Sequence, residues 1–258
     1  MPADPWDPDQ YRRFAAERAR PFRDLLALVR ARPGMRVVDL GCGTGELTAE
    51  AHRGLAARET LGLDSSAAML EKAAPLAGGG LGFARGDIAA FDGRGYDLVI
   101  SNAALHWLPR HEELLARLTA ALAPGGQLAV QVPAMHAHPS HLVAHALAAE
   151  MPFAAALGGW VRPARPVLEP REYAALLFRL GYREQVARLE VYGHPLASRE
   201  EVVEWVKGTV LNPYRERLPP DLWARFLETY RARLFAVLPD ERPFFYGYER
   251  ILFWGQLP

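Results

Sequence analysis

Val37-Val38-Asp39-Leu40-Gly41-Cys42-Gly43-Thr44-Gly45-Glu46 is the stretch on which the architecture turns. A short β-branched run ends near an acid, passes three glycines at alternate positions, and opens onto a helical pattern at 46–55. Glycine allows turns closed to other residues and lets a ligand touch main chain. Outward from this point the alternation continues. Strands are expected at 60–63, 81–85, 96–100 and 128–132, with helices at 67–74 and 112–122, the last closed by Pro124-Gly125-Gly126. Such alternation predicts a parallel sheet with helices on both faces, and right-handed crossovers restrict it to a doubly wound, Rossmann-like α/β layout.

Helical segments at 9–17 and 21–31 are expected to precede this block. After it the pattern loosens into helical stretches at 141–150, 170–180, 199–207 and 220–237, a strand-like piece at 186–192, and a β-prone end at 244–253. The expected organisation is an N-terminal helical lid segment (1–35), a cofactor-binding core (36–133), helical cap insertions with one core strand (134–243), and a C-terminal core strand (244–258). Gly78-Gly79-Gly80 reads as a flexible turn within the core.

Composition narrows the classes. The 258 residues are 50% hydrophobic and 23% charged, enough to bury a sizeable core and far from disorder or a collagen-like repeat. Thirty basic residues balance thirty acidic ones, which argues against coating nucleic acid or an anionic membrane. Cys42 is the single cysteine and cannot form an internal bridge. No run approaches the ~18 apolar residues of a membrane span. The Asp- and Pro-rich start lacks the apolar stretch of a signal peptide, so a cytoplasmic protein is expected. Of the basic residues only Lys72 and Lys207 are lysines. Either genomic base composition or anion recognition by the planar guanidinium accounts for this bias.

The glycine turn distinguishes two cofactor classes. Dinucleotide binders use G-x-G-x-x-G with a pyrophosphate at the helix N-terminus. Here Glu46 occupies the third glycine's place, and a carboxylate there repels pyrophosphate. The D-x-G-x-G-x-G form suits a phosphate-free cofactor such as S-adenosylmethionine. Asp39 would lie near its ammonium, with Gly41, Gly43 and Gly45 along its methionine moiety. Asp64, at the end of the second strand, would accept hydrogen bonds from the ribose hydroxyls. Ser65 and Ser66 would cap the next helix, and Met69 would pack near the adenine. At the end of the third strand, Asp87 would accept the adenine amino hydrogen and Ile88 would cover the ring. Asn102 ends the fourth strand, where the methyl group should point. The alternative is that these acids merely cap helices and turns.

These residues resemble the class I S-adenosylmethionine-dependent methyltransferases over roughly 36–132. The resemblance implies a seven-stranded sheet with an antiparallel last strand. The flanks add Trp6-Asp7-Pro8, Tyr11, Phe14, Arg18, Arg20 and Pro21, then Trp107-Leu108-Pro109, Glu204-Trp205-Val206, Gly208-Thr209 and Arg250-Ile251-Leu252-Phe253. In order and spacing they resemble the family of trans-aconitate methyltransferases, which implies methylation of one carboxylate of a tricarboxylic acid. Two positions depart from that family, Arg188-Leu189-Glu190-Val191 before Tyr192 and His106 before Trp107.

A carboxylate is already ionised at pH 7, so in-line transfer needs orientation and no catalytic base. Arg18, Arg20 and Arg250 are the expected partners of the remaining carboxylates, and Tyr11, Tyr214 and Tyr246 the expected hydroxyl donors. His106 would act as base or donor, or else bond backbone. Trp107 would wall the acceptor, or else pack in the core. No Asn-Pro-Pro-Tyr run or second cysteine points to nucleic acid. His136, His138, His141 and His145 lack an H-E-x-x-H arrangement, so no metal is expected. Competing readings are methyl transfer to another small or carrier-bound acceptor, an NAD-dependent oxidoreductase, and a silent cofactor-binding module.

Overall fold

The computed structural model describes residues 15–160 and 167–258, with side chains from Ala19 onward. Seven strands form one sheet: β1 (Arg36–Leu40), β2 (Glu59–Asp64), β3 (Leu81–Arg85), β4 (Tyr96–Asn102), β5 (Leu122–Pro133), β6 (Glu184–Leu196) and β7 (Phe244–Gln256). Their order is β3-β2-β1-β4-β5-β7-β6. Strands β1 to β5 pair in parallel, with Val38 beside Leu61 and Val99. β7 runs antiparallel to β5, Val130 opposite Phe253. The strand order reverses between β1 and β4, which leaves a crevice at the carboxyl ends of the strands.

Ten helices accompany the sheet among the described residues: α1 (Ala15–Leu26), α2 (Glu46–Gly54), α3 (Ala67–Ala73), α4 (His111–Ala120), α5 (Pro139–Ala148), α6 (Phe153–Ala156), α7 (Pro170–Arg179), α8 (Glu200–Lys207), α9 (Asn212–Arg217) and α10 (Pro220–Val237). Two local expectations change. One helix, α1, runs through Pro21 where the sequence suggested a start. The missing N–H costs a helical bond, and full burial of Phe22 and Leu25 on the following turn outweighs it. Pro124-Gly125-Gly126 does not close a helix. It falls inside β5, whose register against β4 shifts between Tyr96 and Leu98. Most of the expected 9–17 helix lies outside the described residues.

The chain divides into two compact units. The first holds 15–133, Val167–Glu190 and Arg250–Pro258. Its core is the aliphatic interior of the sheet: Val38, Leu40, Leu98, Ile100, Leu128 and Val130 are fully buried. Tyr173 of α7 stacks on Phe253 with centroids 4.1 Å apart, and its hydroxyl meets His111 Nδ1 at 2.5 Å. Gln127 ties the segment after α1 to the sheet. Its Oε1 accepts from Arg30 N at 2.8 Å and Trp254 Nε1 at 2.9 Å, and its Nε2 donates to Arg30 O at 2.9 Å.

The second unit holds 134–160 and Val191–Glu249. Phe226 of α10 stacks on Tyr214 at 5.2 Å and meets Phe153 edge-on at 5.1 Å. The Tyr230 hydroxyl donates to Ser140 O at 2.8 Å, tying α10 to α5. Tyr246, Tyr248, Trp205 and His194 form a second aromatic group. No helix among the described residues is long and apolar enough to cross a membrane.

The Gln127 bonds set a stability expectation. Gln127→Leu keeps the volume but strands the buried Trp254 indole N–H and the Arg30 amide. Chemical denaturation should show a loss of about 2–4 kcal/mol with an unchanged m-value.

Candidate cofactor site

The crevice at the reversal point is a cleft holding about 760 Å³ of open space. Four consecutive strand ends supply its walls: Gly41 and Gly43 after β1, Asp64 and Ser65 at β2, Gly86 to Ile88 after β3, and Asn102 to Ala104 with Trp107 and Leu108 after β4. Met69 of α3 completes it.

The glycine turn is built by necessity. Gly41, Gly43 and Gly45 all take positive φ, at 83°, 55° and 80°. A Cβ on Gly41 would sit 2.3 Å from Ala104 Cβ, because the β1 and β4 loops touch there. Around Gly43 a Cβ would meet nothing within 4 Å, so this glycine faces open space. Gly45 does not line the cleft; it caps α2, and a Cβ there would strike Phe83 and Ala73 at 2.8 Å. Gly41 N and Cys42 N both donate to Leu63 O, at 2.7 and 3.1 Å, which pins the turn to β2. Burial pushes the Cys42 thiol well above its ordinary range, so it is no nucleophile.

Asp64 is fixed before any ligand arrives. Its Oδ2 accepts from Gly43 N and its Oδ1 from Ser66 N, each at 2.9 Å. Every carboxylate oxygen has a second acceptor site, so both remain able to receive hydroxyl donors. Asp87 caps a 3-10 turn through Oδ1, which accepts from Ala89 N at 2.8 Å. Ser66, not Ser65, caps α3, accepting from Met69 N at 3.1 Å. Ser65 lies on the cleft wall instead.

Asp39 sits behind the turn and off the cleft wall. Its Oδ2 accepts from the Thr48 hydroxyl at 2.6 Å, while Oδ1 is buried with no partner among the described residues. Burial raises its carboxyl to about 6; the Thr48 bond works against this and the nearby Asp64 charge works with it. Asn102 Oδ1 is likewise buried without a described partner.

The electrostatics select the ligand. No lysine, arginine or histidine lines the cleft among the described residues, whereas two carboxylates do. The first turn of α2 already carries Glu46, whose side chain accepts a hydrogen bond from the Thr44 hydroxyl. A phosphate or pyrophosphate meets repulsion at both places. A neutral or cationic nucleoside with a ribose diol and a flat base fits: carboxylates for the hydroxyls, glycine backbone for close approach, Met69, Ile88 and Leu108 as apolar surface.

Of the other expected residues only Trp107 reaches the cleft among the described residues. Trp107 is on the cleft wall, its ring 4.6 Å from that of the half-buried His106, which is not. Arg250 is buried in β7, and its Nη1 donates to Gln131 Oε1 at 3.3 Å. The Arg20 side chain is 75% exposed and faces Asp24 at 3.9 Å. Tyr214 and Tyr246 lie inside the two aromatic groups of the second unit. Tyr11 and the Arg18 side chain lie outside the described residues. The lining residues Gly86, Ala103, Ala104 and Leu108 fall within the expected strand-end runs but carry no individual role in the sequence reading. A glycine directly after β3 is a signal for Gly86, and the run Ser101-Asn102-Ala103 at the end of β4 places Ala103 near the cofactor methyl, but its φ of 54° is not something alanine advertises.

The chain belongs to the methyltransferase domain family, which matches residues 11–183. Two relatives cover most of its length and bear one name. It is 49% identical to trans-aconitate 2-methyltransferase of Deinococcus radiodurans over 98% of both chains. It is 41% identical to trans-aconitate 2-methyltransferase of Variovorax paradoxus, over 91% of this chain and 90% of that one. In fold it is similar to the YcgJ protein of Bacillus subtilis, with a TM-score of 0.60 at 16% identity, covering 92% of this chain and 98% of that one.

Gly41→Ala tests the cradle. The positive φ and the Ala104 contact together should cost about 2–4 kcal/mol of stability and weaken S-adenosylhomocysteine binding at least tenfold in calorimetric titration.

Asp39 predicts a pH dependence for the ligand-free protein. Its folded pKa lies above the unfolded value, so the unfolded state loses its proton first as pH rises. Stability should therefore fall between pH ~4 and ~6, by at most about 3 kcal/mol. In Asp39→Asn this segment of the pH–stability profile should be flat.

Proposed function

We propose that the chain is a cytoplasmic enzyme that transfers the methyl group of S-adenosylmethionine to one carboxylate of trans-aconitate, giving a monomethyl ester. The observation that carries the cofactor is the cleft at the sheet's reversal point, lined by no cation among the described residues and holding a prefixed Asp64. Near-full-length similarity to two proteins named for trans-aconitate supports the acceptor.

When bound, S-adenosylmethionine supplies a methyl carbon whose bond electrons remain on sulfur. The chain's residues bind and orient. Asp64 accepts from the ribose hydroxyls, and Asp87 accepts from the adenine amine through its second oxygen. Met69, Ile88 and Leu108 cover the base. Gly41 and Gly43 admit the methionine moiety, and Asp39 behind them favours its ammonium. Asn102, Trp107 and His106 stand toward the acceptor. The acceptor carboxylate, ionised at neutral pH, needs no base; it needs alignment and removal of its water.

In the same proposal the remaining carboxylates are held by arginine. Arg250 is favoured over the exposed Arg20, because it is only 4% exposed and a guanidinium–carboxylate bond there escapes screening. Arg18, Tyr11, Tyr214 and Tyr246 complete the acceptor set. The helical segments 1–35 and 134–243 serve the acceptor and the exclusion of water. No nucleic acid or metal enters this scheme.

The test is label transfer from methyl-labelled cofactor to trans-aconitate, cis-aconitate and citrate. Expected is a base-labile monomethyl ester of trans-aconitate; label on none of the three acids would overturn the acceptor assignment. Asp64→Ala should weaken cofactor binding by about 1–3 kcal/mol. Arg250→Ala, checked for retained folding, should cost about 2–5 kcal/mol in acceptor kcat/KM with cofactor affinity near wild type.

A further inference from the structure

β6 closes one end of the sheet, and among the described residues no other strand pairs with its outer edge. Edge strands are ordinarily shortened, covered or heavily charged, because an open edge templates further pairing. This one is 13 residues long and carries exposed apolar side chains: Val186, Leu189 (48% exposed) and Val191 (60% exposed). Phe245 on the neighbouring β7 is 65% exposed. Its ring and Val191 flank Gly247, each 3.4 Å from where a Cβ would stand there. Leu189 and Val191, two residues apart, share one face of the strand.

We propose that two copies of the chain associate through this edge, β6 pairing antiparallel with its counterpart about a twofold axis at Leu189. Three observations fix the register. Pro195 lacks an N–H and ends the usable edge, so the available ladder is Glu184 to His194, whose midpoint is Leu189. Antiparallel pairing about that midpoint sets Arg188 opposite Glu190 of the second copy, and Glu190 opposite its Arg188. These two side chains already pair within the strand at 2.7 Å, so association extends one ion pair into a four-membered cross-strand network. On the opposite face Leu189 meets its own copy and Val191 meets Ala187, which covers the exposed apolar stripe. The interface is isologous and self-closing, so it ends at two copies. A formal net charge of zero removes the long-range repulsion that would oppose it.

The experiment is sedimentation of the full chain together with cysteine cross-linking. Wild type should sediment at twice the chain mass. Leu189→Cys should form an intermolecular disulfide under mild oxidation, since antiparallel partners have Cα atoms about 4.5–5.5 Å apart, within disulfide range. Ala187→Cys alone should not, because the two copies of that position lie about 13 Å apart along the strands; with Val191→Cys added it should. Arg188→Glu should weaken association at least tenfold, and Arg188→Glu with Glu190→Arg should restore it. Thermal unfolding of each variant confirms a folded chain. A monomer at ~100 µM, cross-linking of Ala187→Cys as efficient as that of Leu189→Cys, or indifference to the charge swaps would each overturn the proposal. None of these outcomes depends on methyl transfer.

Discussion

The constraint from which the rest follows is the contact between two loops. The turn after β1 and the loop after β4 come so close that a single methyl group at Gly41 would lie 2.3 Å from Ala104 Cβ. Only left-handed glycine backbone permits that approach, and the approach holds the reversal point of the sheet together. From it descend the position of Gly43 over open space, the backbone bond from Gly43 to Asp64, and the alignment of four strand ends on one cleft. Ser101 Oγ, donating to Leu40 O at 2.8 Å, reinforces the same seam from within the sheet.

Electrostatics then decide what the cleft accepts. The acids of the first two strands, Asp39 of β1 and Asp64 of β2, have opposite environments despite similar places near the strand ends. Asp64 is half-buried and held by two backbone N–H groups. Asp39 is buried, held by one hydroxyl, and has an oxygen with no described partner. One is a prearranged acceptor of hydroxyl donors. The other is a reserve of negative charge that burial keeps partly protonated below pH ~6 and that a nearby cation would draw out.

Much of this was legible in the sequence, and the reasons are specific. Glycine at alternate positions after a β-branched run has few other uses, and acids at the ends of consecutive strands stand out against apolar runs. The seven strands and the antiparallel last one follow from that resemblance, and the structure contains them. Other features are tertiary in origin. Ala103 and Ala104 reach the cleft through backbone conformation and proximity, which alanine does not advertise. Helix α1 continues through Pro21 because Phe22 and Leu25 find a core, a balance that local propensity cannot weigh. The hydroxyls of Tyr214 and Tyr246 are what the sequence draws attention to; that their rings pack among other aromatics is visible only in the structure.

The place of β7 bears on how the chain is made. This strand follows every other strand in the sequence, yet it lies between β5 and β6. Until Arg250 to Gln256 emerge, β5 has no neighbour on that side, Trp254 has not reached Gln127, and β6 has no place in the sheet. The cleft-lining half of the sheet, β1 to β4, is complete more than a hundred residues earlier. Vectorial synthesis therefore delivers every strand that lines the cleft well before β7, and the other half of the sheet closes only around a strand made later.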